Sequence, residues 1–228
     1  MSLPGIVEVD PASWPGHRPL VEIASASAIV ALVQLNVVEF HTANAAAGNF
    51  DKPDRLVFDL DPGEGLPWRS MIEGAILVKT LLDELGLASF VKTSGGKGLH
   101  LVVPLLARHS SEEVKAFATA VAHHIARTIP ERFVATSGPR NRVGKIYIDY
   151  LRNSHSATTV AAFSARARPG LGVSMPIAWE ELPEVKSGAF WTVATAPARI
   201  EEVGRADPWA AYARARRSLG AASRRLGR

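Results

Sequence analysis

The stretch RLVFDLDP at residues 55–62 decides the fold of this chain. Apolar and acidic side chains alternate along it, which is typical of a strand with one face in a hydrophobic core. Side chains two residues apart in a strand point to the same face. Asp59 and Asp61 therefore project together, with Cα atoms about 6.6 Å apart at a rise of about 3.3 Å per residue. Pro62 and Gly63 then end the strand.

The paired acids predict a metal site. Neighbouring carboxylates repel each other and lose hydration when partly buried, and a divalent cation relieves both costs. Oxygen ligands in a chain without cysteine favour Mn²⁺ or Mg²⁺. Asp149 lies in a second strand pattern, IYIDY at 146–150, in opposite phase to its two isoleucines. If the two strands are neighbours, three carboxylates converge and can hold two metals about 4 Å apart. The alternative is that Asp61 only forms a turn with the Pro-Gly pair that follows it.

A glycine-rich stretch, SGGKGLH at 94–100, predicts an anion-binding turn between two strands. It offers backbone N–H groups together with the side chains of Ser94, Lys97 and His100. Its spacing is neither that of a Walker A loop nor G-x-G-x-x-G. Taken alone, the stretch is better explained as a flexible hairpin turn, and it is Lys97 and His100 together that favour the anion-binding interpretation.

Further basic residues surround these motifs. Arg142 precedes the second acidic strand, and Arg166 and Arg168 follow a strand predicted at 158–164. A metal-bound triphosphate needs such cations, although any single arginine is more often an exposed surface residue. His41 closes the apolar run VVEFH and is equally compatible with a core histidine.

Composition sets the limits of these interpretations. The 228 residues, 47% apolar and 21% charged, are ordinary for a globular protein. Disulfides, thiolate zinc sites and cysteine nucleophiles are excluded because there is no cysteine. The absence of cysteine also fits a protein of the reducing cytosol. We find no signal-peptide pattern at the start of the sequence and no apolar run long enough to span a membrane.

Charge is unevenly distributed along the chain. Residues 205–228 hold seven arginines and one acid, a balance of +6 within a net charge of +4, so the other residues sum to −2. A basic terminal helix is usually only solvated, and contact with phosphates is the functional alternative. We expect an irregular lead-in at 1–18, one main domain at 19–204 and a basic C-terminal helix at 205–228.

The remaining pattern predicts an α+β fold with a mixed or antiparallel central sheet flanked by helices. Ser110 and Glu113 predict a capping box at the start of one helix. Helices are predicted at 19–34, 67–85, 110–128 and from 208 onward. Strands are predicted at 37–41, 55–61, 89–93, 99–105, 145–151 and 158–164.

Four motifs, in their order along the chain, resemble those of the polymerase domain of bacterial ligase D. They are FDLDP, TSGGKGLH, a strand with one Asp followed by Asn and Thr-Thr, and R-x-R. This domain belongs to the archaeo-eukaryotic primase superfamily. The resemblance runs from about residue 41 to residue 179 and identifies 19–204 as a primase-polymerase catalytic domain. It implies metal binding by the three acids Asp59, Asp61 and Asp149. It implies nucleotide binding by His41, Ser94, Lys97, His100, Arg142, Arg166 and Arg168.

The resemblance also implies a reaction and its partners. We expect metal-dependent addition of NTP or dNTP to DNA ends or gapped DNA during bacterial non-homologous end joining. Mn²⁺ or Mg²⁺ would be the cofactor, in a cytoplasmic, nucleoid-associated protein. Ku and the ligase and nuclease domains of the same system are the expected partners, and no membrane is involved. The alternatives are a catalytically weak nucleic-acid-binding or scaffold module that keeps the primase fold, and a stand-alone phosphohydrolase, against which the motif order argues.

One departure accompanies the resemblance. Family members carry about one further subdomain before the helix predicted at 19–34. That part includes an aromatic that stacks on the incoming base and basic residues for the DNA 5′-phosphate. We therefore expect metal and nucleotide binding with weakened polymerisation, and Trp14 and Trp68 are the first alternative stacking residues to consider.

Overall fold

The acidic stretch forms a central strand in the computed structural model, which describes residues 5–15 and 20–227. The strands are β1 (Ile6–Glu8), β2 (Val21–Ile23), β3 (His41–Ala43), β4 (Arg55–Pro62), β5 (Phe90–Thr93), β6 (Leu99–Pro104), β7 (Phe133–Val134), β8 (Ile146–Asp149), β9 (Thr158–Val160) and β10 (Pro176–Ile177). The α-helices are α1 (Ala26–Gln34), α2 (Trp68–Glu84), α3 (Ser111–Thr128), α4 (Ala196–Arg205) and α5 (Gly220–Leu226). Short 3₁₀ turns occupy Pro11–Ser13, Pro139–Arg142, Leu151–Asn153, Trp179–Glu184 and Ala213–Ala215.

Six strands form the main sheet, in the order β10-β5-β6-β4-β8-β7. All neighbours are antiparallel except β7 and β8, which are parallel. Two smaller two-stranded sheets pair β1 with β2 and β3 with β9. The predicted α+β fold with a mixed central sheet is therefore confirmed.

Side chains along β4 alternate between the hydrophobic core and the polar face of the sheet. Leu56, Phe58 and Leu60 are fully buried in the core formed with α2 and α3. Asp59 and Asp61 face the opposite side of the sheet, where they line a cleft. The same alternation in β6 and β8 buries leucines and isoleucines against the helices. One face of the sheet thus stabilises the fold, and the other carries the polar residues.

The Asn153 side chain completes the pairing of β4. Its amide nitrogen donates to the Val57 carbonyl oxygen at 2.7 Å, and its amide oxygen accepts from the Val57 N–H at 2.8 Å. β8 pairs with β4 only from Asp59 onward, so Asn153 takes the place of a strand next to Val57. Buried backbone groups need such partners, and a side-chain amide can satisfy both at once.

Several predicted helices and strands agree closely with the structure. The second and third predicted helices correspond to α2 and α3, and α3 begins with the predicted capping box of Ser110 and Glu113. The acidic strand and the hairpin that follows it correspond to β4, β5 and β6. Trp179 begins a short 3₁₀ turn that ends at Glu184.

Both ends of the chain differ from prediction. The lead-in is partly ordered: β1 pairs with β2, which replaces the start of the helix predicted at 19–34, so that α1 begins only at Ala26. Residues 1–4 and 16–19 of these predictions lie outside the described residues. The predicted basic helix is mostly wrong, since turns and a 3₁₀ segment precede α5, and the helix α4 before it was not predicted. Arg217 pairs with Leu105 at the end of β6, and this pairing holds the backbone out of a helix.

Candidate active site

Four titratable side chains lie in one row across the polar face of the main sheet. The strand register aligns Lys92 with His100, His100 with Asp59, and Asp59 with Asp149. Each is at most 8% exposed. Since directly opposed residues of an antiparallel pair have neighbouring side chains, the row brings two carboxylates beside an imidazole and an ammonium group.

The charges in the row influence one another. Burial alone would raise the pKa of Asp59, but His100, whose Nε2 lies 3.4 Å from Asp59 Oδ1, and the cations Arg152 and Lys92 lower that pKa below its ordinary value. Burial lowers the pKa of Lys92 to about 7. The Lys92 ammonium donates to the Val160 carbonyl at 3.0 Å and to Ser174 Oγ at 2.6 Å. Lys92 therefore connects β5 to the β9 side of the site.

Asp61 and Asp149 complete the acidic group. Burial raises the pKa of both, and the charge of Asp59 raises both further. Two arginines offset this repulsion: Arg142 Nη1 lies 3.2 Å from Asp61 Oδ2, and Arg152 Nε lies 3.4 Å from Asp59 Oδ2 and 3.1 Å from Asp149 Oδ2. The three acids share one face of two adjacent strands, as their phases predicted.

The donor set is chemically suited to a hard divalent cation. Three carboxylates on one sheet face, two of them with raised pKa values, have the excess negative charge that such an ion relieves. In the arrangement of the described residues, however, no group of three His, Cys, Asp or Glu side chains is already close enough to hold a metal ion. Arg152 lies between Asp59 and Asp149, so a cation there would have to displace its guanidinium group.

The glycine-rich turn lies directly against the end of β4. A Cβ at Gly98 would lie 1.9 Å from the Leu60 carbonyl oxygen, so only glycine permits this approach. Inside the turn, Ser94 Oγ accepts the N–H groups of Gly96 and Gly98, both at 3.1 Å. The Ser94 hydroxyl thus stabilises the turn, and the exposed Lys97 forms no ion pair with the residues that the structure describes.

Arg166 and Glu39 connect the glycine-rich turn to His41 and Ala167. Arg166 Nη1 donates to the Ser94 carbonyl at 3.2 Å, and its Nε lies 2.8 Å from Glu39 Oε1. The same Glu39 oxygen lies 2.6 Å from His41 Nε2, and its other oxygen accepts the Ala167 N–H at 2.8 Å. Burial would raise the pKa of Glu39, but these contacts lower it below its ordinary value.

These groups enclose a cleft of about 280 Å³. Of the ten predicted site residues, nine line it: His41, Asp59, Asp61, Ser94, Lys97, His100, Arg142, Arg166 and Arg168. The tenth, Asp149, lies beside the cleft as the strand partner of Asp59. Neither suggested stacking residue lines it, since Trp14 is buried against Phe50 and Trp68 donates its indole N–H to Val185.

Sequence reasoning missed three charged residues of the site. Lys92 interrupts an apolar strand, Glu39 interrupts the apolar run before His41, and Arg152 follows Asp149 by three residues. A charge within an apolar run is a usable signal, because such residues are rarely buried unless paired. Only the tertiary contacts reveal their partners.

The mixed sheet with clustered acids, the glycine turn and the surrounding cations define a primase-polymerase type of domain. The sequence model of the LigD primase-polymerase domain matches residues 3–209, and the chain belongs to this family. The chain is 56% identical over its whole length to the multifunctional non-homologous end joining protein LigD of Pseudomonas aeruginosa, and 36% identical over 187 residues to that of Mycobacterium tuberculosis.

Comparison with solved structures agrees. The polymerase domain of Mycobacterium tuberculosis ligase D, solved in complex with DNA, matches with a TM-score of 0.76 and 31% identity, over 90% of this chain and 73% of that one. The chain spans 27% of the Pseudomonas relative and 25% of the mycobacterial one. Among the described residues, no helix has the length and apolar character to cross a membrane.

Proposed function

We propose that this chain is a metal-dependent nucleotidyltransferase that adds ribonucleotides or deoxyribonucleotides to a DNA 3′-hydroxyl at ends or gaps. The observation that carries the proposal is the direct pairing of Asp59 with Asp149 across β4 and β8, with Asp61 on the same strand face. The family match and the DNA complex of the mycobacterial polymerase domain support the same class of reaction.

Acidic and basic residues would have different roles in this reaction. Asp59, Asp61 and Asp149 would hold Mn²⁺ or Mg²⁺, which when bound lowers the pKa of the attacking hydroxyl and neutralises the leaving pyrophosphate. Lys97 and Arg168 are exposed and form no ion pair with a described carboxylate, so both are free to bind triphosphate oxygens. The protein contributes positioning and electrostatic stabilisation and needs no covalent intermediate.

Primer extension on gapped DNA, with Mn²⁺ and separately with Mg²⁺, tests the proposal. We expect nucleotide addition by the unmodified chain and none by Asp59→Ala, which should also lose any metal-dependent gain in melting temperature. Asp83→Ala is the matched control, because Asp83 lies on α2 and pairs with Lys79. Extension by Asp59→Ala at the unmodified rate would refute the assignment.

A second candidate function is nucleic-acid binding without catalysis. The pairing of the acids with Arg142 and Arg152 favours it, since these cations already balance the carboxylate charge. The same assay separates the two functions. A scaffold module would retain DNA affinity, show no extension with either metal and respond to metal with no change in melting temperature.

The cellular role that we propose for this chain is based on its relatives. The Pseudomonas and mycobacterial proteins are multifunctional non-homologous end joining proteins, of which this chain spans about a quarter. We propose that the chain fills gaps in that process, together with the ligase and nuclease domains of the system and with Ku. Co-purification with a Ku protein on blunt DNA ends measures this association.

A further inference from the structure

The C-terminal segment at 208–227 carries five arginines and no acidic residue. These are Arg214, Arg216, Arg217, Arg224 and Arg225, and all five are exposed. None of them forms an ion pair with a carboxylate among the described residues. Other surface arginines do, as in the contact of Arg69 with Glu73 at 3.0 Å. The segment therefore concentrates positive charge that the protein itself does not neutralise.

Hydrogen bonds and core contacts hold this segment against the rest of the domain. The Trp209 indole N–H donates to the Val91 carbonyl at 3.1 Å. The Arg217 N–H donates to the Pro104 carbonyl at 3.3 Å, and its carbonyl accepts the Leu106 N–H at 2.9 Å. Leu219 and Ala222 are buried in the main core. Because the backbone is already ordered, a ligand that binds these arginines has only their side chains to immobilise.

The position of the arginines separates them from the candidate active site. β6 carries His100 in the cleft near its first residue, and Leu105, just past its last residue, pairs with Arg217. Five residues at about 3.3 Å each place the two ends roughly 17 Å apart along the strand. This distance equals the length of about five base pairs of duplex, at a rise of about 3.4 Å along the helix axis for each phosphate of one strand.

We propose that these five arginines, with the neighbouring exposed Arg108, form a contact surface for the phosphates of duplex DNA that flanks the reaction site. We name it the arginine surface. The proposal rests on the proposed function, which brings DNA to the cleft. Guanidinium groups pair with phosphate oxygens in a bidentate manner, and a row of cations along one segment suits the regularly spaced phosphates of a duplex.

The salt dependence of DNA binding tests the arginine surface. The logarithm of the affinity for duplex DNA falls with the logarithm of salt concentration by about 0.9 for each phosphate contacted. We expect the variant R214Q/R216Q/R217Q/R224Q/R225Q to reduce this slope by up to about 4.5, and R224Q/R225Q to reduce it by up to about 1.8. The affinity is measured by fluorescence anisotropy on a 25-base-pair gapped duplex.

A charge-matched control excludes a general effect of net charge. The variant R69Q/K79Q/K115Q/R127Q/R132Q also removes five positive charges, but from α2, α3 and the loop that follows α3. We expect this variant to keep the original slope. Equal slope changes in both five-residue variants, or no change in either, would overturn the proposal. The substituted arginines are exposed, so unchanged melting temperatures are expected to verify folding.

The length of the duplex flank gives an independent measurement. We expect the arginine variant to bind normally when the flank is shorter than about five base pairs, and to lose affinity as the flank lengthens beyond that. An equal loss at every length would overturn the proposal. If the chain fails to extend primers but still shows these slope and length effects, the arginine surface stands and the proposed catalysis fails.

Discussion

At the residue scale, Glu39 connects two walls of the candidate site. One carboxylate oxygen contacts both Arg166 and His41, and the other accepts a backbone N–H from Ala167. Arg166 in turn reaches the carbonyl of Ser94 in the glycine turn. Two residues predicted to bind nucleotide are therefore held in place by a third, for which we propose no contact with the substrate.

Glu39→Gln tests this positioning. The substitution keeps the size of the side chain but removes its charge, and a hydrogen bond to a charged group contributes about 1.5–3 kcal/mol. We expect the KM for nucleotide to rise roughly tenfold, or by about 1.4 kcal/mol, with little change in melting temperature. Glu73→Gln is the control, because Glu73 pairs with Arg69 and Arg132 on the surface. An unchanged KM for Glu39→Gln would show that Arg166 and His41 do not depend on it.

At the element scale, the strand that carries the acids depends on a side chain from outside the sheet. Val57 of β4 is buried, and both of its backbone polar groups are bonded to Asn153. Asn153 also donates to the Tyr150 carbonyl at 2.9 Å, which fixes the turn after Asp149. One amide thus supports the β4 backbone two residues before Asp59, in addition to the pairing of β4 with β6 and β8.

Asn153→Ala should destabilise the protein by about 2–6 kcal/mol, since it leaves a buried donor and a buried acceptor unpaired at about 1–3 kcal/mol each. Urea unfolding measures the loss. Asn141→Ala should change the free energy of unfolding by less than about 0.5 kcal/mol, because the Asn141 side chain bonds the Ser137 carbonyl in an exposed loop. Equal effects of the two substitutions would contradict the role of Asn153.

At the scale of the whole molecule, an aromatic contact fixes the N-terminal segment to the body. Trp14 stacks on Phe50 with ring centroids 4.9 Å apart, and it meets His155 edge-on at 5.7 Å. Trp14 is 4% exposed. His155 follows the turn that contains Asn153, so this packing lies against the same part of the chain that supports β4.

Trp14→Ala should lower the free energy of unfolding by about 3–5 kcal/mol, the usual range for removing a buried tryptophan. Trp14→Phe should retain most of the stability, because it keeps an aromatic ring on Phe50. Calorimetric melting measures both variants, and limited proteolysis shows whether the segment before residue 15 is released. Equal melting temperatures for Trp14→Ala and the unmodified chain would mean that this packing does not stabilise the fold.

The sequence by itself determined the strands β4, β5, β6 and β8, the two long helices and most of the residue types of the site. Alternation of period two along β4 and of period 3.6 along α2 and α3 is a local property, and burial of the apolar face enforces it. Asp59 and Asp61 had to share a face for this reason. The glycine turn was equally local, since glycine residues favour a tight connection between two strands.

Only the tertiary structure decided which of these residues meet. Pairing of β4 with β8 joins residues about ninety positions apart, and no local pattern specifies that register. Tertiary packing also decides the contacts of Lys92 with β9, of Glu39 with Arg166 and of Arg152 with two acids. At the C-terminus, alanine and arginine favour a helix locally. The backbone pairing of Arg217 with the end of β6 overrides that preference. Hydrogen bonds to the backbone of an existing strand outweigh a helix propensity of a few tenths of a kcal/mol per residue.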